Sequence, residues 1–314
     1  MRKILMNQSS IFFWAKANKM KKELNNTIQK RFKEAEILID EYENLFVGPG
    51  IIKKIRRLIR FRFEYITYLF ARFGLMKNIS SHITLFGILR MGKREIELAE
   101  FFIKNIHKED IFYDIGANEG FFSKLLYNFF GESIEVHSFE PSPDVFARLK
   151  SDLEGRNGVF LKKLALSDTF GTFTQYIPAK DPTLSGTSTL LKEAAEKNIQ
   201  NFKEIMISAT TLDLYVSDHK LPTFIKMDVE GYESYVIRGG VKTLSQKKPI
   251  VAMEVWSGEN GDRFSLKAVK QLIDLGYVPH RILSKGEIAE ITYEDVLSYM
   301  HSDSPTENFV FIAK

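Results

Sequence analysis

The residues Asp114-Ile115-Gly116-Ala117-Asn118-Glu119-Gly120 follow directly on the apolar stretch Ile111-Phe112-Tyr113. Glycines at a strand-to-helix turn let backbone amides approach a bound ligand closely, so the run reads as a nucleotide-cofactor loop. A glycine pair at this spacing also occurs in purely structural turns, and the loop alone does not separate the two. Phe121 and Phe122 open the helix that follows, whose N-terminal amides suit a ligand carboxylate.

Further residues narrow the chemistry. A second apolar run ends in Phe139-Glu140-Pro141-Ser142, twenty residues past Gly120. A carboxylate at that place accepts two hydrogen bonds from the adjacent hydroxyls of a ribose; a surface glutamate before a turn proline is the plain alternative. A third run leads into Leu164-Ala165-Leu166-Ser167-Asp168. Its apolar residues suit the faces of an adenine ring and Asp168 its amino group, although helix capping by Ser167 or Asp168 accounts for the same residues. A fourth run ends in Lys226-Met227-Asp228-Val229-Glu230-Gly231-Tyr232-Glu233, and a fifth contributes Glu254 and Trp256. Acids that open a helix are favoured by its dipole. Crowded carboxylates also raise one another's pKa toward values useful for taking a proton, which makes Asp228, Glu230, Glu233 and Glu254 the candidate bases.

Short apolar runs must position these residues. Strands are expected over Ile111–Ile115, Ile134–Phe139, Val159–Leu164, Phe224–Met227, Ile250–Val255, Tyr277–Ile282 and Phe309–Ile312, with helices over Phe121–Phe129, Val145–Leu153 and Ser265–Leu275. Buried strands alternating with amphipathic helices predict an α/β, doubly wound, mostly parallel sheet. In such sheets ligands bind outside the carboxyl ends of the strands, where all the residues above fall.

The 314 residues include no cysteine, which removes disulfides, thiolate metal sites and cysteine nucleophiles together. Neither a signal-peptide core nor an apolar run of membrane-spanning length stands out, so the cytoplasm is the expected location. The six histidines, among them His107, His137 and His280, are scattered without ligand spacing, and no metal cluster is expected.

Charge is divided unevenly. Residues 1–80 hold 17 Lys+Arg against 7 Asp+Glu, and the rest 27 against 33. Two helices are expected in this basic arm, over about 20–46 and 51–73, separated by Gly48-Pro49-Gly50. The second interleaves Lys53, Lys54, Arg56, Arg57 and Arg60 with isoleucines and aromatics, a composition that suits either an anionic membrane interface or packing on a neighbouring helix. Nucleic acid is not the expected partner. The expected division is a basic helical extension, residues 1–80, and a catalytic domain, residues 81–314.

Taken in order, the motifs Asp114-Ile115-Gly116-Ala117-Asn118-Glu119-Gly120, Phe139-Glu140-Pro141, Ala165-Leu166-Ser167-Asp168, Leu212-Asp213, Ile225–Glu233 and Ala252-Met253-Glu254 make the chain resemble the FkbM family of S-adenosylmethionine-dependent methyltransferases over about residues 92–314. The resemblance implies the class I methyltransferase (Rossmann-like) sheet with an antiparallel last strand. It implies S-adenosylmethionine as cofactor and methyl transfer to a hydroxyl of a sugar, glycan or natural product. Asp114, Gly116, Ala117, Asn118, Gly120 and Phe121 are then expected around the methionine half, Glu140 and Pro141 at the ribose, and Leu166, Ser167 and Asp168 near the adenine. The segment Ser185–Leu190 departs from the family, which usually has an asparagine shortly before the glycine. A nicotinamide dehydrogenase would need a third glycine where Phe122 or Ser123 stands. The remaining rival is a non-catalytic scaffold that docks a membrane or partner on a degenerate cofactor fold.

Overall fold

The computed structural model describes residues 93–179, 188–199, 201–302 and 306–314. The two helices expected in the basic arm, the boundary expected near residue 80 and residues 185–187 of the Ser185–Leu190 segment lie outside the described residues.

Eight strands form the central sheet: β1 (Ile111–Ile115), β2 (Glu135–Phe139), β3 (Val159–Lys162), β7 (Phe224–Met227), β8 (Ile250–Trp256), β9 (Tyr277–Ile282), β10 (Ile288–Glu290) and β11 (Thr306–Ala313). Their order is β10-β9-β11-β8-β7-β1-β2-β3. Strands β3, β2, β1, β7 and β8 are mutually parallel, and β11 enters antiparallel between β8 and β9. This is the class I methyltransferase sheet. The central strands are apolar on both faces because helices cover both. Along β1, Phe112 points to one side and meets Phe102 of helix α1 (Lys93–Asn105) at 5.0 Å between ring centroids. The next residue, Tyr113, points to the other side and meets Phe139 and Tyr215.

Helices α2 (Phe121–Phe130) and α3 (Pro143–Leu153) follow β1 and β2. Pro143 sits in the first turn of α3, where its missing N–H costs nothing. The third strand is shorter than expected. It ends at Lys162, and the chain leaves the main sheet at Lys163-Leu164 to form β4 (Ala165–Ser167). There it joins β5 (Gly171–Pro178) and β6 (Phe202–Thr211) in a second sheet of order β4-β6-β5, which the sequence reading did not foresee. Helix α4 (Lys192–Asn198) lies between β5 and β6, and the short α5 (Leu212–Tyr215) follows β6. After β7 come α6 (Glu233–Arg238) and α7 (Val241–Lys247); α8 (Leu266–Asp274) precedes β9 and α9 (Tyr293–Met300) precedes β11. Val236 and Ile237 of α6 share a buried core with Val269 and Leu272 of α8 and with β7, β8 and β11.

His137 on β2 is fully buried, with Nδ1 2.7 Å from the Tyr215 hydroxyl and Nε2 2.8 Å from Glu135. Burial holds its pKa down at about 4, despite the Glu135 carboxylate that favours the charged ring. The unfolded chain therefore binds a proton that the folded one refuses. This contribution is whole above about pH 6.5 and is lost as pH falls toward 4, for a total of up to about 3 kcal/mol. Denaturant titrations over that window should show His137→Gln with a shallower pH slope than the parent; equal slopes contradict the assignment.

Candidate active site

The site forms where β1, β2 and β7 end. Gly116 adopts φ +75°, and a Cβ placed on it would lie 1.8 Å from the Asp228 carbonyl oxygen, so only glycine lets the loop after β1 run this close to the turn after β7. Gly120, at φ +78°, caps the start of α2 against Leu149. The amides of Gly116 and Ala117 donate to the Phe139 carbonyl at 3.1 and 2.9 Å, tying the loop to the end of β2. Glu140 completes the tie. Its Oε2 accepts the Asn118 amide at 3.1 Å and its Oε1 the Ser142 amide at 2.9 Å. Burial pushes Glu140 up to about 7 against the pull of those two amides.

Beside the loop lies a cavity open to solvent, with about 620 Å³ of empty space including the solvent at its mouth. Gly116, Asn118, Glu140 and Pro141 line one part of it, Leu164, Ala165 and Leu166 another, and Asp228, Val229, Glu230 and Tyr232 a third. Gln175, Ser188 and Leu190 complete the wall. Gln175 carried no motif, because β5 of the second sheet brings it in, whereas Ser188 and Leu190 belong to the Ser185–Leu190 segment that departs from the family pattern.

Several expected contacts fall elsewhere. Asp114 is buried behind the loop and takes Ser123 N–H and O–H at 3.2 and 2.6 Å, which fixes the first turn of α2. Its second oxygen has no hydrogen bond, although the Lys226 ammonium stands 3.7 Å away in ionic contact. Burial raises the Asp114 pKa, and Lys226 and Ser123 oppose the rise. Ala117 packs on Leu149 and Leu153, and Phe121 stacks edge-on against Phe122; neither reaches the cavity wall. Ser167 pairs with the Tyr232 hydroxyl at 3.0 Å. Asp168 is held by Arg238, whose Nη2 and Nε both donate to one carboxylate oxygen at 2.7 and 3.2 Å. Ser167 and Asp168, expected near the adenine, thus brace β4 against α6.

The acidic turn is closely built. Lys226 is buried and donates to the Gly116 carbonyl and to Asp228, each at 3.1 Å. Burial alone would lower its pKa, but the Asp228 and Asp114 charges outweigh it and keep the ammonium firmly protonated. Glu233 lies under the turn and accepts the Val229 and Gly231 amides at 3.0 and 3.4 Å, with burial pushing it up to about 7. Its role is to shape the turn, not to line the cavity. Glu254 accepts from Trp256 Nε1 at 3.2 Å. Carboxylate oxygens of Asp228, Glu230 and Glu254 lie within 4.8 Å of one another, a spacing at which they could hold a cation and which the scattered sequence positions did not disclose. Burial first, then the Asp228 and Glu254 charges, raises Glu230 well above the usual carboxylate range. Glu254 rises for the same reasons, with Asp228 and Glu233 as its charged neighbours. A carboxylate raised in this way is a stronger base than an exposed one.

Comparison with known proteins agrees with this geometry. Residues 114–279 match the methyltransferase FkbM domain. The hexuronic acid methyltransferase AglP of Haloferax volcanii is 23% identical over 173 residues, 54% of this chain and 66% of AglP. Among solved structures, the methyltransferase FkbM of Methylobacillus flagellatus KT is 14% identical at a TM-score of 0.42, covering 84% of this chain and 60% of that one. An S-adenosylmethionine-dependent O-methyltransferase from Thermotoga maritima is 12% identical at a TM-score of 0.37, covering 78% of this chain and 71% of that one. The chain thus spans about three fifths to two thirds of the first two relatives. The family match covers more than half of the sequence, and it includes the glycine loop, Glu140 and the acidic turn that meet at one cavity: the chain belongs to the FkbM methyltransferase family.

Proposed function

We propose that the protein transfers a methyl group from S-adenosylmethionine to a hydroxyl of a sugar or glycan. The observation that carries this reading is the single cavity bordered by Gly116, Asn118 and Glu140 on one part and by Asp228 and Glu230 on another. The residues fit the cofactor. Each Glu140 oxygen keeps a free lone pair after accepting its amide, enough for two ribose hydroxyls, and Gly116 itself borders the cavity.

The cofactor would supply a methyl carbon activated by its sulfonium. The chain's own task is to hold the acceptor oxygen in line with that carbon and to remove its proton. Glu230 suits the second role: it borders the cavity and is kept basic by Asp228 and Glu254. Glu230 would take the hydroxyl proton as the acceptor oxygen is methylated. Asp228, bonded to Lys226, lies beside the base.

The hexuronic acid methyltransferase relative supports a saccharide acceptor. Incubation with methyl-labelled S-adenosylmethionine and a panel of neutral and uronic-acid saccharides tests this, with label expected in at least one saccharide. A chain that neither binds nor turns over the cofactor would favour the non-catalytic scaffold. Among the described residues no helix is long and apolar enough to cross a membrane. The basic composition of residues 51–73 supports peripheral contact with anionic lipid at the inner, cytoplasmic face. A chain lacking residues 1–80 should then float less well with anionic liposomes than the full chain, and equal flotation rejects the contact.

A further inference from the structure

We propose that Gln175 recognises the nucleobase of the cofactor, its side-chain carbonyl accepting a hydrogen bond from the exocyclic amino group of adenine. This rests on the cofactor reading above and gives that site a specificity residue. Gln175 lies on β5, is only 4% exposed, and borders the cavity. Its Oε1 is buried with no hydrogen-bond partner among the described residues. A buried carbonyl left unpaired is costly, so the position invites a donor from a ligand.

The strand fixes which way the side chain points. Tyr176, the next residue, turns outward to pack on Ala195, Ile199 and Phe202. Phe173, two residues earlier and on the same face as Gln175, packs on Ala165. Gln175 is therefore the polar member of an otherwise apolar stretch of wall that includes Leu164, Ala165, Leu166 and Leu190. Flat apolar walls around one amide suit an aromatic heterocycle with a hydrogen-bonding edge better than a hydroxyl-rich sugar. The other polar groups of the wall lie elsewhere: Asn118 and Glu140 at the glycine loop, Asp228 and Glu230 at the acidic turn. Ser188 adjoins Thr189, whose hydroxyl donates to the Glu230 carbonyl at 2.8 Å. Asp168, the acid expected here from sequence, is committed to Arg238.

The test compares S-adenosylhomocysteine with its 6-deamino purine analogue by calorimetry, in the wild-type chain and in Gln175→Met. The wild type should prefer the adenine form about tenfold or more, the effect of leaving one buried acceptor unpaired. In Gln175→Met the preference should shrink to about twofold or less. Because each preference is a ratio within one protein, a general loss of stability in the variant cancels. The wild-type comparison needs no substitution at all. Equal binding of the two nucleosides by the wild type, or an undiminished preference in Gln175→Met, overturns the assignment while leaving the cofactor reading intact. A wild-type chain that binds neither nucleoside overturns both.

Discussion

Gly116→Ala is expected to lower cofactor affinity by at least about a hundredfold and to reduce thermal stability. Two costs combine. A side chain at φ +75° carries about 1 to 2 kcal/mol of backbone strain. The larger cost is steric, because the added methyl would overlap the Asp228 carbonyl at 1.8 Å. That oxygen belongs to backbone and has no flexible side chain to swing away. Either the loop after β1 or the turn after β7 must shift by an ångström or more, and a displacement of that size at a positioned ligand costs about a hundredfold. Gly131→Ala is the control. Gly131 also has a positive φ, +59°, but a Cβ there would meet nothing within 4 Å. It should lose about 1 kcal/mol of stability from strain and bind cofactor like the wild type. Thermal melts and cofactor titrations of both variants check the pair, and a Gly116→Ala protein that binds as the parent does would show that the loop is not at the ligand.

Glu230→Gln is expected to lower kcat by about a hundredfold to ten-thousandfold, the usual worth of a positioned base, while cofactor affinity stays within about threefold. The amide keeps the shape and removes the basicity. Neither Glu140 nor the glycine loop is touched by the change, which is why binding should survive. Loss of the base should also remove the acid limb of the kcat profile. In the wild type the carboxylate works only when ionised, and its neighbours raise its pKa, so turnover falls as pH falls through that raised value. Single-turnover measurements with saturating cofactor separate the chemical step from binding. An unchanged kcat would pass the role to Asp228 or Glu254, whose carboxylates share the cluster.

The strands that place these residues were legible because each is a short apolar run closed by a turn. β1, β7 and β9 begin and end where the side-chain pattern puts them. β11 runs from Thr306 to Ala313, beyond its apolar centre, because it pairs with β8 through Asn308 and Glu307 whatever their polarity. The second sheet was not legible. β6 mixes exposed Lys203, Glu204, Met206 and Ser208 with Ile207 and Ala209, which are buried in a small cluster of their own with Ala165. The loop, Glu140 and the acidic turn could be found as motifs, since each follows a strand directly. Asp168 could not be told from a ligand residue by its neighbours in sequence, because the partner that occupies it, Arg238, lies seventy positions away. Gln175 is hidden for the same reason: only the pairing of β5 with β6 brings its amide to the cavity.

The most direct test of the account is calorimetric titration of S-adenosylhomocysteine into the wild-type chain and Glu140→Ala from pH 8 to pH 6. Glu140 accepts ribose hydroxyls best when ionised, and its pKa in the free protein is about 7. Binding lowers that pKa, so affinity should be level above about pH 7 and weaken as pH falls below it. Glu140→Ala should bind more weakly at pH 8, by about 1 to 3 kcal/mol, and lose this pH dependence. Absence of binding by the wild type, or an affinity indifferent both to pH and to Glu140, would contradict the claim that these strand ends converge on an adenosyl cofactor.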